Sequence, residues 1–273
     1  MASHLIIAGH QKCMTTSLYN ALARHSSIFN VGHKKELNYF RGRCPTSEGY
    51  KTQFKEAGGG VSLEASPFYV FDIDSLRKID RVLGDSVRVI VLRRDPVERA
   101  ISHYNHSVIR GWEDKELMVA MKRDIRCQSA YDSEKDRIDH SYLNRSNFDY
   151  LEAKAREVLR GRLTVFDTEK MSLLTIEKAI LGDVLGFGKT YAVTNVASGT
   201  GPQPYKNKSY IVSSKSGFEW LRRTGLRGQT LLRAGILLKA LGPGKGIVSE
   251  RDRAVIREGI ENVARLNNSY PTL

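Results

Sequence analysis

Val87-Arg88-Val89-Ile90-Val91-Leu92 constrains the fold more than any other stretch of this chain. It is rich in β-branched residues and places apolar side chains on both faces of a strand. That pattern suits a strand covered by helices on both sides. Shorter runs of the same kind recur at Leu5–Ala8, Val61–Leu63 and Leu163–Phe166. Between them lie helical patterns at Thr16–Arg24, Asp74–Leu83, Pro96–Arg110, Asn147–Arg160 and Leu173–Leu185. Asp95 followed by Pro96 makes a helix start. Strand, loop and helix in this alternation predict an α/β fold with a parallel sheet.

Composition narrows the class. The chain has 273 residues, of which 41% are hydrophobic, too many for intrinsic disorder. Cys13, Cys44 and Cys127 show no CxxC spacing, so neither a disulfide scaffold nor a structural zinc site is expected. No run approaches the ~20 apolar residues that cross a bilayer. Met1-Ala2-Ser3-His4 lacks the basic start of a secretory leader, and a cytoplasmic location is expected. Ser198–Pro204 has the composition of a flexible break. The residues beyond it hold few large apolar side chains and would make a poor core alone. The expectation is therefore one domain over 1–273, with a basic helical segment from about 205 to 273. The net charge of +13 asks for an anionic partner without saying which.

Ligands of open parallel sheets bind beyond the carboxyl ends of the strands. Three strand ends carry chemistry here. After the first strand comes Gly9-His10-Gln11-Lys12-Cys13-Met14-Thr15-Thr16-Ser17. It offers a helix N-terminus, one Lys and three hydroxyls, which is a phosphate cradle by type. A simple turn with a Thr or Ser helix cap fits the same residues. The nucleotide-binding pattern G-x-x-x-x-G-K-S/T fails, because Met14 and Thr15 stand at its second Gly and its Lys. Cys13 also reads as a small buried filler. The second strand end is Arg93-Arg94-Asp95-Pro96, with Ser102 two turns into the following helix. Arginine at such a place suits phosphate recognition. The third is Leu63-Glu64-Ala65-Ser66-Pro67-Phe68-Tyr69. Glu64 reads as a positioned base, as a solvated carboxylate, or as a partner for Lys12.

In this order the segments resemble PAPS-dependent sulfotransferases, above all the heparan-sulfate N- and O-sulfotransferase branch and its bacterial carbohydrate relatives. The family's 5′-phosphosulfate loop, roughly K-x-G-T-T-S/A-L-Y, is similar to Lys12-Cys13-Met14-Thr15-Thr16-Ser17-Leu18-Tyr19. Its 3′-phosphate element, a strand, R-N/D-P and a Ser eight residues after the Arg, resembles Arg94-Asp95-Pro96 with Ser102-His103-Tyr104. Lys35-Glu36-Leu37-Asn38-Tyr39-Phe40 and Glu64–Tyr69 resemble two further segments of that branch. Met14 departs from the family's Gly. Arg93 doubles its single Arg, so the 3′-phosphate ligand is Arg94, by its spacing to Pro96 and Ser102, or Arg93.

The resemblance implies a P-loop-like three-layer α/β/α fold and sulfuryl transfer from PAPS, leaving PAP, without a metal. It assigns Lys12 to the phosphosulfate and its bridging oxygen. Cys13, Met14, Thr15, Thr16 and Ser17 fall to the 5′-phosphate, and Arg94 and Ser102 to the 3′-phosphate. Lys206 is a further donor contact. Glu64 takes the acceptor proton, with His10 in reserve. The implied acceptor is a carbohydrate or glycolipid, with His10, Lys35 and Trp112 as contacts. The basic segment 221–245 mixes Leu and Arg at helical spacing, as a surface helix or a peripheral membrane contact would. A P-loop nucleotide kinase is the alternative. A nucleic-acid-binding module shares the charge but has no zinc finger, recognition helix or RNP-type aromatic run to go with it, and no nucleic-acid partner is expected.

Overall fold

The computed structural model describes residues 3–31, 34–54, 60–126, 133–187, 210–212 and 245–269. They fall into two compact units. Residues 1–94 with 148–203 form one, and residues 95–147 with 204–273 form the other.

The first unit is built on a parallel sheet of five strands: β1 (His4–Gly9), β2 (Ile28–Asn30), β3 (Val61–Ala65), β4 (Val87–Arg93) and β5 (Leu163–Asp167). Their spatial order is β2-β3-β1-β4-β5, so β1 lies between β3 and β4. Leu5 pairs with Leu63 on one side and Arg88 on the other. The chain runs outward from β1 to one edge, then crosses β1 to build the other. Such a reversal opens a crevice at the carboxyl end of the central strand.

Every residue of β1 is buried. Side chains alternate across a strand, and β1 feeds two cores. Leu5 and Ile7 join Leu63, Ile90 and Leu92 under α1 (Thr15–Leu22) and α8 (Leu173–Ala179). Ile6 and Ala8 join Val87, Val89 and Val91 under α3 (Ile73–Leu83) and α7 (Phe148–Leu159). Helix, sheet and helix make the three layers expected. In α3, Leu76, Ile79 and Leu83 are buried at helical spacing while Arg77 and Arg81 face outward. Each buried Leu or Ile contributes roughly 1.5–3 kcal/mol. Short helix α2 (Ser47–Lys51) places Tyr50 in the same core, and Thr46 caps it by accepting from the Gly49 N–H. At the end of β1, a Cβ on Gly9 would lie 2.2 Å from Val70 Cγ1, so only glycine lets the segment after β3 sit over this strand.

The second unit begins with α4 (Pro96–Arg110). Asp95 Oδ1 accepts from the Glu98 N–H at 2.8 Å and Pro96 fills the first turn, as the sequence predicts. Gly111, at φ 73°, closes the helix in the left-handed region that glycine favours. Helices α5 (Leu117–Arg126), α6 (Glu134–His140) and α9 (Glu250–Ser269) accompany it, with an antiparallel pair β6 (Tyr210–Val212) and β7 (Lys245–Ile247). Its core holds Val97, Ile101, Tyr104, Met121, Ile256 and Val263. Arg99 is fully buried there, donating to Ser146 Oγ at 2.8 Å and to the Tyr142 carbonyl. This guanidinium is structural, holding the 142–146 turn against α4.

Candidate active site

Three neighbouring strand ends, those of β3, β1 and β4, bring the predicted residues of the first unit together. The loop after β1 turns sharply. Lys12 (φ 72°) and Met14 (φ 62°) both adopt left-handed backbone. Such a conformation costs a side-chain-bearing residue about 1–2 kcal/mol. Met14 takes this conformation with its side chain turned outward, 42% exposed. Met14 is also the residue preceding α1. It offers no side-chain cap, and the first turn of α1 carries no acidic residue. The amide end of α1 thus keeps its partial positive charge for a ligand. Thr15 is buried, Ser17 half-buried and Thr16 exposed at that end. The Cys13 side chain packs into the core beneath α1, as a small filler would, so only its backbone belongs to the loop.

The two arginines at the end of β4 diverge. Arg94 Nη1 donates to the Lys12 carbonyl at 3.3 Å, which lays its guanidinium along the loop after β1. Arg93 turns instead to carboxylates: Asp149 and Glu152 on α7, both at 3.6 Å, and Asp167 at the end of β5, at 3.8 Å. Arg93 braces α7 and β5 against β4. His10 shares that brace. Its ring is buried, packs on Phe148 with centroids 4.2 Å apart, and places Nε2 3.5 Å from Glu152 Oε1.

Glu64 is completely buried. Ser66 Oγ donates to its Oε1 at 2.6 Å, while Oε2 has no hydrogen-bond partner. Burial pushes its carboxyl above the usual carboxylate range. The hydroxyls of Ser66, Tyr50 and Tyr69 and the Lys34 ammonium oppose that rise. Of the three hydroxyls, Ser66 makes the hydrogen bond of regular geometry with the carboxylate. Both tyrosines are in turn pushed up, first by burial and then by Glu64.

The segment Lys35–Arg41 lies along the same strand end. The Ala65 N–H donates to the Lys35 carbonyl at 3.1 Å, and Lys35 Nζ donates to Thr16 Oγ1 at 3.1 Å. Asn38 N donates to Ser66 Oγ at 3.0 Å and Phe40 N to Tyr69 Oη at 3.2 Å. Lys35 thus stands beside the first turn of α1. The sequence reading missed Ser66, Tyr50 and Tyr69. A hydroxyl two residues beyond a strand-end carboxylate was the available signal for Ser66. Nothing local marked Tyr50.

Ser102, half-buried on α4, and Trp112, 39% exposed just beyond it, belong to the second unit. Arg110 lies over the Trp112 ring at 5.5 Å, and His106 meets its edge. Lys206, Cys127 and nearly all of segment 221–245 lie outside the described residues. Among the described residues no group of His, Cys, Asp and Glu is placed to hold a metal ion, and no helix is long and apolar enough to cross a membrane.

No family model matches the chain. A membrane-associated sulfotransferase of Dictyostelium discoideum, kil1, is 31% identical over 110 residues, which cover 38% of this chain and 23% of that protein. The chain thus matches under a quarter of that relative's length. Among solved structures, a sulfotransferase from Alicyclobacillus acidocaldarius is similar with a TM-score of 0.55. It is 18% identical, and the match covers 86% of this chain and 96% of that one. A sulfotransferase domain from the curacin biosynthetic pathway aligns at 13% identity with a TM-score of 0.45, over 95% and 97% of the two chains. The chain therefore has the α/β fold of the Alicyclobacillus sulfotransferase, and a 110-residue stretch of its sequence is similar to the Dictyostelium protein.

Proposed function

We propose that this chain is a sulfotransferase that moves the sulfuryl group of PAPS to an acceptor hydroxyl or amine by in-line displacement. One observation carries the reading: three adjacent strand ends supply a lysine-bearing loop that enters an uncapped helix, an arginine lying on that loop, and a buried carboxylate. Positioning and stabilisation of leaving-group charge are what such a transfer needs.

In this reading Lys12 meets the charge that builds on the oxygen between phosphate and sulfur. Thr15, Thr16 and Ser17 donate hydroxyls to the 5′-phosphate, joined by the amide end of α1 and the backbone of Cys13 and Met14. Lys35 adds its charge beside Thr16. Arg94 holds the 3′-phosphate. Ser102, eight residues further along the sequence, is assigned to the same group by spacing, and Lys206 is assigned to the donor in the same way. Glu64 takes the acceptor proton on Oε2, the oxygen that Ser66 leaves open. Its upward-shifted pKa makes it a stronger base than a solvated carboxylate. His10, buried against α7, does not compete for that role.

The acceptor is proposed to be a carbohydrate or glycolipid, with the exposed ring of Trp112 as a stacking surface. The chain is proposed to act in the cytoplasm, with the basic 221–245 segment at an anionic membrane. The name of the Dictyostelium relative agrees with that last point. A thermal-shift panel of PAP, PAPS, ATP and GTP tests the donor. Stabilisation by PAP and PAPS is expected. Stabilisation by ATP with magnesium and no response to PAP would replace this reading with a nucleotide kinase.

A further inference from the structure

The base is held from outside its own strand. Ser66 Oγ sits in a two-link chain: it accepts from Asn38 N at 3.0 Å and donates to Glu64 Oε1 at 2.6 Å. The same segment reaches Tyr69 through Phe40 N, Ala65 through the Lys35 carbonyl, and Thr16 of the donor loop through Lys35 Nζ. Asn38 takes a left-handed turn (φ 52°) that aims its N–H at Ser66. Glu64 and Ser66 are both fully buried, so the bond between them does not compete with bulk water.

We infer that Ser66 is a positioning residue that fastens the Glu64 carboxylate to the Lys35–Arg41 segment, so that the base and the Lys35 side chain beside Thr16 are held as one piece. The inference rests on Glu64 being the base. A hydroxyl that already receives an N–H is a better donor onward, because hydrogen bonds in a chain polarise one another. Ser66 thereby fixes the rotamer of Glu64, favours its charged form and leaves Oε2 as the proton acceptor. The other groups that act on the carboxylate are Tyr50 from α2, Tyr19 from α1, Tyr69 and Lys34. Of the groups that favour the ionised form, Ser66 acts most strongly, ahead of Tyr50, Tyr69 and the Lys34 ammonium.

The test needs no acceptor. Glutamate labelled with ¹³C at the side-chain carboxyl is titrated by NMR in the full chain, the Glu64 signal being assigned by its loss in Glu64→Gln. Ser66→Ala should move the Glu64 midpoint upward by about one pH unit, the worth of a charge-assisted hydrogen bond. Ser66→Thr keeps a hydroxyl and should restore it. Tyr69→Phe, which leaves Ser66 in place, should shift the midpoint less. In wild type the protection factor of the Asn38 amide should change through the Glu64 midpoint, and in Glu64→Gln it should not. An unchanged midpoint in Ser66→Ala, or an Asn38 amide indifferent to Glu64 ionisation, overturns the inference. Binding of PAP by these variants, followed by calorimetry, reports separately on the donor reading. Failure of wild type to bind PAP sinks that reading and leaves the titration result standing.

Discussion

Arg93 and Arg94 are consecutive in sequence, yet their alanine variants should fail in different ways. Arg94 donates to the neutral Lys12 carbonyl at 3.3 Å, a bond worth about 0.5–1.5 kcal/mol to the fold. Its contribution to a bound 3′-phosphate is a charge-assisted bond of about 1.5–3 kcal/mol, which is roughly 10- to 150-fold in affinity. PAP should therefore bind Arg94→Ala that much more weakly. AMP, which lacks the 3′-phosphate, should bind within about twofold of wild type on the same reasoning. Arg93→Ala removes the partner of three carboxylates. The Asp149 pair, whose acid is 97% exposed, adds little. Glu152, with only 8% of its side chain exposed, would be left with less compensation, at a cost of about 1–3 kcal/mol. At about 2–4 °C per kcal/mol the melting temperature should fall visibly, while PAP affinity holds. Calorimetric titration of both nucleotides against both variants, with thermal melts alongside, separates the cases. Equal loss of PAP and AMP in Arg94→Ala, or a larger PAP loss in Arg93→Ala, would refute the assignment.

Glu64→Gln should keep PAP binding and lose about 10²- to 10⁴-fold in turnover once an acceptor is in hand; near-normal turnover would remove Glu64 from the chemistry. Met14→Gly relieves a left-handed side chain that is largely exposed, and should raise stability by about 0.5–1 kcal/mol in a denaturant titration after glycine's entropy is set against the strain. A net loss would mean that the Met14 side chain holds the loop. His4 is buried on Ser62, with its pKa lowered to about 4 by burial and by Lys51. A histidine that is neutral when folded and ordinary when unfolded gives stability that is complete above the unfolded value of 6.5 and is lost as pH falls from there towards 4. The loss should total about 3 kcal/mol at most, and it should be absent in His4→Gln.

The strands and long helices of the first unit were legible because their signal is local. Leu5–Ala8 and Val87–Leu92 carry apolar residues on both faces, and a buried central strand requires that. Strand β2 escaped notice because three residues, Ile28–Asn30, form no period. Helix α9 falls inside the basic helical segment expected from about 205 to 273, but its bounds were not legible, because charged neighbours dilute the helical spacing of Ile256, Ile260 and Val263. At the site, the three strand ends were visible as residue types, but their partners were not. No spacing pairs Arg93 with Asp149 or Lys35 with Thr16, since those contacts come from the sheet order. Nor could the sequence say that Met14 takes a left-handed backbone, which its side chain disfavours.

The divergence of Arg93 and Arg94 also bears on how the gene can change. Successive side chains leaving a strand face opposite ways. One arginine therefore meets the acids of α7 and the other the loop after β1 only because β4 ends where it does. Exchanging single residues upstream leaves that parity alone. Inserting or deleting one residue in β4 reverses it, sending the brace towards the loop after β1 and its neighbour towards the acids. Length variation in descendants of this sequence should accordingly gather in the connections and spare the strand that precedes the arginines.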